Sequence, residues 1–229
     1  MPVLSRRLAT AVLMLCVATA GCSELDESSQ GLTRNDLVAD LAAQMTSAAD
    51  LTYEANYQLP GGEKATVAQT RKPARTAYVY PGGKVTVTAD ATTECRTEKT
   101  TTCTLMAPST AASPAPAKVF EGAGESGLIP PATVLALLNA AVLDNDVEVD
   151  QHDTTIAGRH ATCVQLRGVD DAAARDFTTC ITNEGVLGSF DGILNSTRVE
   201  VAMTHYSEEV EEAMFDLPKS AKLVDRRGR

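Results

Sequence analysis

Apolar and polar residues alternate with two different periods along the chain, and the switches between them mark its elements. Over residues 34–49, Leu37, Leu41, Met45 and Ala48 fall on one stripe at helical spacing, which predicts an amphipathic helix. From residue 51 the period drops to two. Leu51, Tyr53, Ala55, Tyr57 and Leu59 alternate with Thr52, Glu54, Asn56 and Gln58, the pattern of a half-buried antiparallel strand with one wet face. Further strands are predicted over 64–71, 75–80, 84–89, 92–97 and 101–106, with Val85, Val87 and Ala89 on one face. Pro60-Gly61-Gly62 and Pro81-Gly82-Gly83 supply turns in which glycine takes φ > 0 at no steric cost. This half reads as a β-meander.

Residues 107–117 are low in complexity and predict an exposed loop. Pro130-Pro131 then opens a helix to residue 143, where a missing N–H in the first turn removes no helical bond. Val134, Leu135, Leu137, Leu138, Val142 and Leu143 leave this helix no wide polar face, and Asn139 is its only polar side chain past the first turn. A helix apolar nearly all round is buried or closes a hydrophobic space, and its alanines permit either. Strand patterns return over 147–155, 159–167, 176–182, 186–190 and 197–206, the last with Val199, Val201 and Met203 on one face. The acidic run 207–212 predicts a solvated bulge or short helix, and Met214-Phe215-Asp216-Leu217-Pro218 closes the domain.

The N-terminus follows different rules. Arg6 and Arg7 precede an uncharged stretch from Leu8 to Ala20, which ends in Gly21-Cys22. A basic region, a short apolar region and small residues at the cut site predict a secretory signal over 1–21. The stretch is shorter than the roughly 20 residues a spanning helix needs. Leu8-Ala9-Thr10 lacks the apolar pair that follows a twin arginine, which favours Sec export. The run Val17-Ala18-Thr19-Ala20-Gly21-Cys22 resembles the lipobox of bacterial lipoproteins. That resemblance implies a diacylglyceryl group on Cys22, cleavage before it, and a protein held to the membrane on its extracytoplasmic face. Residues 22–32 then read as the lipidated cysteine and a flexible tether, 33–225 as one domain, and 226–229 as a frayed basic tail.

Removing Arg6 and Arg7 leaves 18 basic against 30 acidic residues, a net charge of about −12. Such a surface repels nucleic acid, so none is expected as a partner. Aromatics make up 4 % and tryptophan is absent, which argues against stacking platforms for bases or sugars. Cys16 leaves with the signal. Cys95, Cys103, Cys163 and Cys180 remain, an even number that outside the cytoplasm implies two disulfides with three connectivities open. Cys95–Cys103 and Cys163–Cys180 are favoured because each pair sits across a predicted hairpin.

Few motifs point to catalysis. Gly122-Ala123-Gly124-Glu125-Ser126-Gly127 matches G-x-G-x-x-G, but no helix opens on it inside a βαβ unit, so it reads as a flexible loop. Ser126 falls outside G-x-S-x-G. His152, His160 and His205 lack helical metal-ligand spacing, and a hydrolase using His152 or His160 requires a Ser–His–Asp cluster in space. Asn195-Ser196-Thr197 is a sequon without consequence in a bacterial lipoprotein. No enzyme activity, metal or cofactor is expected.

The order of parts (lipidated cysteine, tether, helix, meander, apolar helix, meander) resembles the LolA/LolB-like lipoprotein-carrier superfamily, and within it the actinobacterial LprG/LppX-type branch. The resemblance covers about residues 32–224, with local echoes at Leu51-Thr52-Tyr53-Glu54-Ala55-Asn56-Tyr57, Ile156-Ala157-Gly158-Arg159 and Phe215-Asp216-Leu217-Pro218. It implies an α+β fold: a strongly curved antiparallel sheet, an incomplete barrel of two meanders, with the N-terminal and apolar helices on its concave face. It also implies a monomer with an apolar cavity for a lipid, glycolipid or lipidated molecule. The candidate lining is Tyr53 and Tyr57 on the first strand, Val85 and Val87 on the fourth, Leu135 and Leu138 on the apolar helix, and Val199, Val201 and Met203 near the end. The alternative is a filled-core interaction or sensory lipoprotein. A contiguous apolar pocket of a few hundred Å3 separates the two.

Overall fold

The computed structural model describes residues 23–109 and 117–228, with side chains of the first helix from residue 35 on. The expected signal peptide, Cys22 and most of the 107–117 loop lie outside the described residues. The alternating segments form strands β1 (Tyr53–Gln58), β2 (Lys64–Arg71), β3 (Ala74–Tyr80), β4 (Gly83–Val87), β5 (Thr92–Thr97) and β6 (Thr101–Met106), each antiparallel to the next. A second meander holds β7 (Glu148–Ile156), β8 (Arg159–Arg167), β9 (Phe177–Thr182), β10 (Leu187–Leu194) and β11 (Thr197–Ser207). Antiparallel pairing of β1 with β11 joins the meanders. The result is α+β, with one open, curved sheet whose edges are β7 and a twelfth strand, β12 (Lys222–Asp225).

The alternation sets which faces are buried. Tyr53, Ala55 and Tyr57 of β1 and Val199, Val201 and Met203 of β11 point into a core shared with both long helices. These are α1 (Ser23–Ser47), contributing Val38, Leu41, Ala42 and Met45, and α3 (Pro131–Leu143), contributing Val134, Leu137, Leu138 and Ala141. Among the described residues no helix is long and apolar enough to cross a membrane.

Several elements differ from the sequence expectation. The sheet is not wholly antiparallel: β12 pairs parallel with β6, and Arg226 N–H extends the contact to the Leu105 carbonyl at 2.7 Å, so the basic tail begins as part of the sheet. Helix α1 starts at Ser23 rather than at residue 34. No proline interrupts 23–33, and extending an existing helix is far easier than nucleating one. β4 stops at Val87, which leaves Ala89 exposed in a bend. β10 runs through Asp191-Gly192 to Leu194. Gly192 sits in a strand because a Cβ there would lie 2.8 Å from the Cβ of Phe177, whose ring stacks with Phe190. The strand turns at Asn195-Ser196, both with positive φ, the backbone of a tight hairpin.

Helix α3 is not buried all round. Ala132, Ala136, Asn139 and Leu143 form an exposed stripe at helical spacing, with Leu143 84 % exposed. Alanine tolerates water at little cost, so a stripe of it can face solvent without polar residues to mark it. The acidic run leads into a 3-10 turn, Glu212–Phe215, held on β3 by Arg75. That guanidinium bonds both Glu212 oxygens at 2.9 Å and lies 4.2 Å from the Phe215 ring centroid, while Lys84 Nζ donates to the Asp216 carbonyl. These contacts carry the chain across the first meander to β12.

Candidate functional site

The segment between the meanders builds the site. The G-x-G-x-x-G stretch is not a loop: it forms a short helix, α2 (Glu121–Glu125), with a turn closed by Leu128 N–H to the Ala123 carbonyl. Ser126 Oγ also donates to Ala123 O at 2.7 Å. Buried Val119 and Ala123 anchor it. Leu128 and Ile129 follow as fully buried residues, and Pro130-Pro131 start α3.

Two apolar clefts flank the first turn of α3. One, of about 230 Å3, is lined by Met45 of α1 and Ala48 just after it, Tyr53, Tyr78, the α3 residues Pro131, Ala132 and Leu135, and Val186-Leu187. The other, of about 460 Å3, lies between α2, Leu128-Ile129-Pro130, Thr133 and the β10–β11 hairpin at Leu194 to Val199. Tyr78 lines the first and Phe120 the second, and their rings meet edge to face with centroids 5.3 Å apart. An aromatic pair and one helical turn therefore separate the clefts. Glu121, Glu125 and Asn195 rim the larger one.

The candidate lining residues divide accordingly. Tyr53 and Leu135 border the smaller cleft and Val199 the larger. Tyr57, Val85, Leu138, Val201 and Met203 are buried core residues, and Val87 packs half-buried against them. Tyr57 Oη donates to the Leu187 carbonyl at 2.8 Å, which satisfies its buried hydroxyl. Burial pushes the phenols of Tyr53, Tyr57 and Tyr78 up, that of Tyr78 to about 12, so all three stay neutral near pH 7. Sequence reasoning missed Phe120, Leu128, Ile129 and Leu194. They lie in a Gly-rich stretch and beside a hairpin turn, where no period exists to read.

The four domain cysteines bond as Cys95–Cys103 and Cys163–Cys180. Each pair is a directly opposed cross-strand pair, of β5–β6 and of β8–β9. The histidines lie apart on β7, β8 and β11, all exposed. His160 shares a shallow pocket with Asp153 and Thr162, where Thr162 Oγ1 donates to Asp153 Oδ1 at 2.9 Å, and no serine lines it. Among the described residues no group of three His, Cys, Asp or Glu is placed to hold a metal.

No protein-family model and no curated protein matches the chain. Solved structures do match. An uncharacterized conserved protein from Thermus thermophilus aligns at 10 % identity and TM-score 0.49, covering 82 % of this chain and 98 % of that one. A MucB structure aligns at 10 % identity and TM-score 0.46, covering 82 % of this chain and 65 % of MucB. The Pseudomonas aeruginosa MucA/MucB complex aligns at 11 % identity and TM-score 0.48, covering 82 % and 63 %. The chain thus spans less than two thirds of the MucB chains it matches. Likeness at this level carries no function to the present protein.

Proposed function

We propose that the protein is an extracytoplasmic lipoprotein, anchored through Cys22, that acts without catalysis by holding the apolar part of a lipid or lipidated molecule. The observation that carries this reading is the cleft of about 460 Å3 beside α2, which falls within the roughly 300–1,000 Å3 of small-molecule sites. Its walls of Phe120, Leu128, Ile129, Pro130, Leu194 and Val199 suit an acyl chain. The two disulfides support an oxidising compartment outside the cytoplasm. Two acyl chains on Cys22 give stable anchoring where one does not, and they hold the domain near its ligand's source.

One observation favours the second reading, an interaction or sensory lipoprotein. Tyr57, Val85, Leu138 and Val201 are at most 2 % exposed, so the space between the sheet and the helices is filled at its centre. The readings part on ligand uptake. The chain from residue 23 onward, without the signal or Cys22, should bind uncharged 1-N-phenylnaphthylamine saturably, with the fluorescence rise of an apolar site. Thr133→Trp places an indole in the larger cleft and should weaken that binding at least fivefold with an unchanged circular dichroism spectrum. Absence of saturable binding, or equal binding by the variant, removes the cleft as the site.

A further inference from the structure

The apolar cleft adjoins a second, polar space. A pocket of about 370 Å3 lies between α2, the β3–β4 turn and the β5–β6 turn, and Glu125 lines both it and the cleft. Its other charged lining groups are Glu63, Glu98 and Arg96. Arg96 is paired with Glu94. Three carboxylates therefore face the pocket against one guanidinium that already has its own carboxylate partner. They are too dispersed for a metal, since among the described residues no three such groups are placed to hold one.

Tyr80 supplies an independent pointer to a ligand. It lines the same pocket, it is 6 % exposed, and its hydroxyl is buried without a hydrogen-bond partner. A buried polar group left unpaired is costly and calls for an explanation. The surrounding backbone is shaped to this side chain. A Cβ on Gly83 would overlap the ring, and one on Gly122 would lie 3.1 Å from the hydroxyl. Burial first, then the charges of Glu94 and Glu125, push the phenol up to about 12. The hydroxyl is thus neutral near pH 7 and free to accept a proton donor.

We propose that this pocket is the head-group subsite for an amphiphile whose tail occupies the neighbouring cleft, and that the head group is an alkylammonium. The proposal rests on the acyl-cleft reading above. An ammonium brings three N–H donors and one positive charge. The carboxylates of Glu63, Glu98 and Glu125 match its charge, and the Tyr80 oxygen accepts one of its donors. A phosphate head group meets three like charges, and the one cation present is already neutralised. A sugar head group forms hydrogen bonds but leaves the carboxylate charge unmatched.

Three probes with one tail test the head group: dodecylammonium, dodecyl maltoside and dodecyl phosphate. Each displaces 1-N-phenylnaphthylamine from the chain from residue 23 onward, below its micelle concentration and at 0.15 M salt, where charges more than about 8 Å away are largely screened. Dodecylammonium should act at a concentration at least tenfold below dodecyl phosphate and threefold below dodecyl maltoside. Glu98→Gln combined with Glu125→Gln should shrink the tenfold preference to less than threefold, and Tyr80→Phe should reduce it two- to threefold. Because the readout is a ratio between head groups, a variant that loosens the fold lowers all three probes together and leaves the ratio intact. Equal displacement by the three probes, a preference for maltoside, or a preference untouched by the substitutions overturns the head-group assignment while the cleft reading stands. Failure of every probe, with no naphthylamine uptake, overturns the cleft reading itself.

Discussion

Replacing Gly185 by alanine is expected to cost the protein about 3–5 kcal/mol, a large part of the stability of an ordinary domain. Gly185 sits in the β9–β10 turn with φ +85°, a conformation L side chains rarely adopt. A Cβ there would overlap the Gln44 carbonyl oxygen and lie 2.6 Å from its carbon. The obstacle is the backbone of α1, which has no rotamer to change. The helix must move off the sheet, and Met45 and Ala48 move with it and open the smaller cleft. Gly158 provides the control. Its φ is +78°, but nothing lies within 4 Å of the added carbon, so Gly158→Ala should cost only the left-handed strain of about 1–2 kcal/mol. Urea midpoints of the two variants should therefore differ clearly. Equal midpoints would show that α1 does not pack on this turn as described.

Removing the second disulfide has the next largest expected effect. Cys163 and Cys180 close a loop with a sequence separation of 17, worth about 3 kcal/mol in the chain-entropy model. The paired Cys163→Ala, Cys180→Ala variant should unfold roughly 6–12 °C below the parent, at about 2–4 °C per kcal/mol for a chain this size. The paired Cys95→Ala, Cys103→Ala variant, with a separation of 8, should lose slightly less, about 2.5 kcal/mol. Thermal unfolding followed by circular dichroism reads both. Reductant should lower the parent by about the two losses together, and each paired variant only by the loss of the disulfide it retains. A loss below about 1 kcal/mol for both pairs would contradict the stapling role.

The sheet was legible because its inward residues alternate without interruption. Tyr53, Ala55 and Tyr57, and again Val199, Val201 and Met203, announce their faces without tertiary information. β12 was not legible. Lys222-Leu223-Val224-Asp225 is short and little buried, and its partner β6 lies far back in the chain, so nothing local marks it. The end of β10 was hidden by Gly192, a residue that reads as a break and is in fact a space for Phe177. The clefts were beyond the pattern for a different reason. Periodicity says which side of an element is apolar, and it does not say whether the space between two apolar sides is filled. At Tyr57 and Leu138 it is filled. Beside the first turn of α3 it is open, because Pro130-Pro131 fixes where the helix starts and Tyr78 and Phe120 divide what remains.

As proposed above, the domain carries a lipid in the cleft beside α2. Native mass spectrometry of the unlipidated chain from residue 23 onward, purified from its own host, tests it most directly. Reproducible loss of an adduct of lipid mass on collisional activation is expected, with a lower adduct fraction in the Thr133→Trp variant. A ligand-free spectrum that also shows no uptake of added dodecylammonium or of lipids extracted from the host would contradict it.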